Sequence, residues 1–215
     1  MPPAEALARL QDGNRRFREG RVRADILTLS DSSRRAALAD SQTPFAVVVG
    51  CADSRVPVEV VFDQGPGDLF VIRVAGNIAT REVAGSVEFA VESLGARLVV
   101  VLGHSRCGAV TAAVDWISGD AEPLPPNLQG IVERIATKLV ATGSPAGAEA
   151  MPASTGVHRS RDERVAAGVR SNAIGTAADL RRLSPLLDAR MERGDLQITS
   201  AVYSLVSGEV RFAQM

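Results

Sequence analysis

FAVVVGCADSR, residues 45–55, is the stretch on which the fold reading turns. Its first half is a continuous apolar run rich in β-branched valine. Such a run reads as a strand covered on both faces, which needs helices above and below the sheet. The run stops at Gly50, and Cys51, Asp53 and Arg55 then fall on alternate positions. On an extended backbone, alternate side chains point the same way. A buried strand therefore aims three reactive groups at one place.

The same pattern recurs along the chain. LFVIRVAG (69–76) follows the turn signal GPG (65–67), and LVVVLGH (98–104) is a third apolar run. LQITSAVYSL (196–205) is a fourth strand, and VSGEVRF closes a hairpin with Gly208 in its turn. Helical spacing marks 3–19, 30–38, 82–95 with Gly95 as C-cap, 107–119 with Gly119 at its end, and 127–142. A long helical region spans 162–193, bent near Pro185. Residues 143–158, small, polar and rich in Pro and Gly over most of their length, read as a flexible surface loop. Strands alternating with helices predict an α/β fold: a mainly parallel β-sheet of four core strands plus a C-terminal edge strand, flanked by helices. Residues 1–40 form an N-terminal helical arm of a single domain spanning 1–215.

Composition narrows the function. The chain has 215 residues, 46% of them hydrophobic, enough for one sizeable core. A net charge of −1 offers no basic field for nucleic acid or anionic lipid. No apolar run approaches the roughly 20 residues that cross a bilayer, so membrane insertion is not expected. The first twenty residues are amphipathic and charged, unlike a secretory signal, and a cytoplasmic location follows as the expectation.

The two cysteines, Cys51 and Cys107, are the whole thiol content. Taken singly, each reads as a small buried apolar residue. Their surroundings say more. Cys51 follows one buried strand, and His104 closes another with Cys107 three residues on, at a helix entry. Ligands in parallel sheets bind beyond the carboxyl ends of strands, so both clusters fall at one end of neighbouring strands. Two thiolates and an imidazole, with Asp53 nearby, form a tetrahedral donor set suited to zinc. Gly50 and Gly103 give the turns room. Arg106, beside the donors, either binds an anion or faces water.

C-A-D-S-R (51–55) followed by G-H-S-R-C-G (103–108) resembles the β-class carbonic anhydrases. The intervening GDLFVIR and GNIA and the closing Y-x-L-x-x-G-x-V resemble that family too, so the likeness runs from about Leu7 to Phe212. It implies Cys51, His104 and Cys107 as ligands of one Zn2+ per subunit. It implies Asp53 and Arg55 as a catalytic dyad, with Asp53 a fourth ligand in a closed state. The implied reaction is reversible hydration of CO2 to bicarbonate and a proton, by zinc-hydroxide attack on CO2. The implied substrate contacts are Gln42, Phe70, Ala75, Phe89 and Gly108. The family also implies a homodimer or higher even homo-oligomer, such as a tetramer, with each site completed by a partner subunit. Val48 stands where the bicarbonate-regulated branch carries Trp, which favours the plant-type, open branch. Departures from the pattern are Phe89 in place of Tyr, R-V-A-G-N (73–77) in place of R-N-x-A-N, and Ser93 where some plant members carry a histidine. The remaining histidine, His158, lies at the edge of the loop.

Three other functions use the same residues. Relatives on this fold hydrolyse CS2 or COS. A zinc-holding module without catalysis would need the cysteines and His104 but not Asp53 and Arg55. A redox protein would join Cys51 to Cys107.

Overall fold

A computed structural model describes residues 1–23, 32–141 and 160–213. The 143–158 loop, with His158, lies outside the described residues, as do 30 and 31 of the expected helix over 30–38.

Five strands form one sheet in the order β2-β1-β3-β4-β5. They are β1 (Ala46–Gly50), β2 (Leu69–Arg73), β3 (Leu98–His104), β4 (Gln197–Tyr203) and β5 (Val210–Phe212). The first four run parallel, and β5 lies antiparallel on β4, as the alternating pattern predicts. β1 and β3 are buried at every position. Their side chains divide by parity. Ala46, Val48, Leu98 and Val100 pack with Ala6, Leu10 and Phe62 on one face. Val47, Val49, Val99 and Val101 pack with Val83, Val87, Leu180 and Leu187 on the other. Burying each such side chain contributes roughly 1.5–3 kcal/mol, so the sheet centre is the most strongly held part of the molecule.

Helices cover both faces. α1 (Pro3–Arg18) and α2 (Ser32–Ala39) precede the sheet, and α3 (Val58–Val61) is one helical turn in a stretch that carries no periodic signal. α1 docks on its own chain through Ala6, Leu10, Gly13 and Asn14. A Cβ at Gly13 would lie 1.8 Å from the Phe62 carbonyl oxygen, so only glycine permits this contact. α4 (Arg81–Glu92), α5 (Gly108–Ser118), α6 (Pro126–Ala141), α7 (Arg161–Leu183) and α8 (Pro185–Glu192) complete the fold.

The structure differs from expectation in two places. The region over 162–193 is two helices, not one bent helix. Ser184 takes an extended conformation and its hydroxyl accepts from the Leu187 N–H at 3.2 Å, capping α8 where Pro185 has no N–H to continue α7. The strand expected over 69–76 ends at Arg73, because a 3-10 turn occupies Ala75–Asn77 with Gly76 at φ +70°. Among the described residues, no helix is long and apolar enough to cross a membrane.

Candidate metal centre

The β1–β3 register sets the site. Gly50 pairs with Leu102, so Cys51, the next residue, comes level with the end of β3 and beside His104. Cys107 is the N-cap of α5, where the chain turns back from β3. One donor atom from each of Cys51, His104 and Cys107 lies within 4.8 Å of the other two, and all three residues are buried. A tetrahedral zinc ion with Zn–S bonds of about 2.3 Å and a Zn–N bond of about 2.0–2.1 Å spans such a gap with little movement of the chain.

The donors are chemically prepared for a cation. His104 Nδ1 lies 3.1 Å from the Ser105 carbonyl oxygen, an arrangement that places the ring proton on Nδ1. Nε2 is then left with its lone pair, buried and without a hydrogen-bond partner among the described residues. Both cysteines are free. A hydrogen bond from the Cys107 thiol, helped by the Asp53 and Gly76 amides, holds the Cys51 thiol well below its ordinary range, against the cost of burial. The same bond raises Cys107, with burial and the Cys51 charge adding to the rise; the Ala109 and Val110 amides oppose it. The pair thus shares one proton, which a bound cation would displace. The Gly76 N–H donates to Cys51 Sγ at 3.3 Å. A buried thiolate, a second thiol ready to ionise and a neutral imidazole are a donor set that fits zinc.

Asp53 and Arg55 stand at the rim. Arg55 Nε donates to Asp53 Oδ1 at 2.9 Å and Nη2 to Oδ2 at 2.7 Å, a two-pronged contact reinforced by the Arg55 backbone N–H at 2.9 Å. Arg55 Nη2 also reaches the Arg106 carbonyl at 3.3 Å, which gives Arg106 a structural part in the rim. The Arg55 guanidinium and backbone N–H hold the Asp53 carboxyl well below the usual carboxylate range, against the opposing effect of burial. Asp53 Oδ2 lies 3.8 Å from His104 Nε2, beside the three donors.

Sequence reasoning gave Arg73 no part in the site. It closes β2, and its Nε and Nη2 donate to the carbonyls of Cys51 (3.0 Å) and Asp53 (2.6 Å). It thereby fixes the path of the segment that carries the donors. A charged residue ending the apolar run LFVIR was the available signal.

The expected substrate residues are divided. Ala75 and Gly108 sit on the turn and the helix start that flank the donors. Gln42 is exposed ahead of β1. Phe70 and Phe89 face each other with ring centroids 6.2 Å apart. Phe70 pairs with Val47, three residues before the Gly50–Arg73 rung, so it lies about 10 Å along the strand from the donor end of its own chain. Phe89 is 50% exposed. A cavity of about 330 Å³ lies elsewhere, between α7 and the β4–β5 hairpin, and contains none of the three donors.

Comparison with known proteins gives a consistent family. The family model described as carbonic anhydrase matches residues 46–210. Carbonic anhydrase 2 of Mycobacterium tuberculosis (strain H37Rv) is 44% identical over 138 residues, covering 64% of this chain and 65% of that protein, a little under two thirds of its length. The carbonic anhydrase of Mycolicibacterium smegmatis is 37% identical over 209 residues, covering 97% of this chain and 92% of the relative. Among solved structures, one from a study of two tetrameric β-carbonic anhydrases of Sordaria macrospora superposes with a TM-score of 0.70 at 23% identity, over 86% of this chain and 88% of that one, a likeness of fold.

Proposed function

This chain belongs to the β-class carbonic anhydrases, and from that membership we propose that it catalyses the reversible hydration of CO2 to bicarbonate and a proton. The observation that carries the reading is the buried convergence of Cys51, His104 and Cys107 within 4.8 Å, beside an Asp53 that is already paired with Arg55. Those three residues would hold one zinc ion per subunit. Bound there, zinc supplies the Lewis acidity that brings the pKa of a water toward about 7.

The chain's own residues do the rest. Asp53, kept ionised by Arg55, accepts a hydrogen bond from the attacking oxygen and turns its lone pair toward the carbon of CO2. While Arg55 grips both carboxylate oxygens, Asp53 stays off the metal position, which corresponds to the open branch. Ala75 offers an apolar wall and Gly108 brings the α5 backbone close to the substrate. Phe70 and Phe89 are too far along β2 and α4 to serve their own chain's donors, and Phe89 is half exposed. We assign them, with Gln42, to the site of a second subunit in a homodimer or larger even assembly. There the two rings would shelter CO2, and the Gln42 amide would donate to the developing bicarbonate oxygen. The proton leaves to solvent or buffer. A cytoplasmic setting fits this chemistry, since reducing conditions keep Cys51 and Cys107 available as thiolates.

Stopped-flow CO2 hydration by the zinc-loaded protein tests the proposal. The expected result is turnover that rises with pH through a midpoint at or above about 7, because two thiolates leave less positive charge on the metal than three imidazoles would. A protein with stoichiometric zinc and no CO2 hydration, or one that turns over CS2 instead, would contradict it.

A further inference from the structure

The geometry points to Asn172, on α7, as a positioning residue for the metal centre: its side-chain amide holds the Gly76 turn so that the Gly76 N–H is aimed at Cys51 Sγ. The inference rests on the metal-site reading above and extends it to a residue far away in sequence.

Asn172 is fully buried, and its Nδ2 donates to the Gly76 carbonyl oxygen at 2.8 Å. On its other side, Gly76 donates its own backbone N–H to Cys51 Sγ at 3.3 Å. Gly76 is thus a one-residue link between α7 and a metal donor. The link is conformationally unusual. Gly76 has φ +70° and Asn77, the next residue, has φ +42°, so two left-handed residues follow one another. Such backbone persists only where its surroundings fix it. A Cβ at Gly76 would meet Ile135 Cδ1 at 2.6 Å and Ala109 Cβ at 3.1 Å, so packing closes the turn from the α5 and α6 sides. Asn172 supplies the polar hold from the α7 side. Without it, the Gly76 carbonyl would lose that partner in a buried position, and the turn would relax to find another.

The consequence reaches the metal. An N–H aimed at a thiolate draws charge from the sulfur, which then donates less to the cation. Outer partners of this kind commonly change metal affinity or activity by about 10- to 100-fold when removed.

The test uses Asn172→Ala and, as a control, Thr176→Ala. Thr176 is fully buried one turn further along α7, and its hydroxyl has no partner among the described residues. In cobalt-substituted protein, Asn172→Ala is expected to move the sulfur-to-cobalt charge-transfer band to longer wavelength. Because the relaxed turn no longer holds Cys51 in place for the cation, metal binding is also expected to weaken by about 10- to 100-fold, while the more strongly donating sulfur shifts the pH midpoint of CO2 hydration in the zinc form upward. Thr176→Ala, which breaks no hydrogen bond among the described residues, should leave the band in place. A band unmoved in Asn172→Ala, or moved equally in Thr176→Ala, would overturn the inference. If Asn172→Ala does not fold, the wild-type protein loaded with cadmium-113 decides: the Gly76 amide proton should show scalar coupling to the metal, and the Asn172 amide nitrogen should show coupling to the Gly76 carbonyl carbon. Loss of either coupling overturns it. Wild-type protein that takes up no metal contradicts the metal-site reading itself, and this inference with it. Metal uptake with an unmoved band contradicts only the inference.

Discussion

Asp53 is a carboxylate with two suitors. Arg55 holds it through both oxygens and a backbone N–H, while the candidate metal donors lie beside it, with His104 Nε2 3.8 Å from Asp53 Oδ2. The arginine fork meets both oxygens with two directed, charge-assisted N–H bonds, so the paired state is favoured when Arg55 is in place. The direction of the Asp53 shift also fixes its charge. A depressed carboxyl stays ionised until the pH falls well below its ordinary 3.8, so loss of activity near neutral pH does not come from protonating Asp53. In the proposed mechanism Asp53 acts on the reacting oxygen and not on the metal, so Asp53→Ala should retain stoichiometric zinc while CO2 hydration falls by about 10- to 100-fold. Elemental analysis beside stopped-flow rates checks both halves. Loss of zinc in that variant would make Asp53 a ligand, and unchanged turnover would remove it from the mechanism.

Among the elements, α5 and α7 form the frame behind the donors. Arg161, in the first turn of α7, pairs through two nitrogens with both oxygens of Asp115 on α5. The Arg161 guanidinium holds the Asp115 carboxyl below its ordinary 3.8. A carboxyl lowered by folding adds stability that is fully present above its unfolded pKa and disappears as the pH falls through the folded one. The wild-type melting temperature should therefore drop as the pH is taken from about 5 to below 3.8, and Asp115→Asn should show a smaller drop. Parallel melting curves at the two pH values measure this; identical acid sensitivity in both proteins would mean that the pair does not tie the helices together.

The same elements show what a sequence can disclose. The strands were legible because a strand buried on both faces must be continuously apolar, and β1 and β3 are the clearest cases. Cys51, His104 and Cys107 were legible because each follows or closes such a strand. The break between α7 and α8 read as a bend, since Pro185 signals interruption but not that Ser184 would cap a new helix. α3 is a single turn, too short for periodicity to reveal. Arg73 left only a charge at the end of an apolar run, and Asn172 no signal, because their work is on backbone carbonyls, of Cys51 and Asp53 in one case and Gly76 in the other. A carbonyl carries no residue identity, so a partner chosen for it leaves no motif.

At the scale of the whole molecule, the sheet order does what neither segment does alone. With β1 and β3 adjacent and parallel, both donor segments leave the sheet at the carboxyl ends of their strands, and the turn from β3 into α5 brings Cys107 back beside Cys51. The pair Phe70 and Phe89 lies away from that end, which is why the proposed assembly divides metal and substrate pocket between subunits. The central claim is that these distant segments grip one zinc ion. X-ray absorption at the zinc edge of the purified protein tests it directly. The account expects one zinc per chain with two sulfurs at about 2.3 Å and one imidazole nitrogen at about 2.0–2.1 Å, the fourth neighbour being a light atom. A folded protein that contains no zinc, or a zinc shell without two sulfurs, would contradict it.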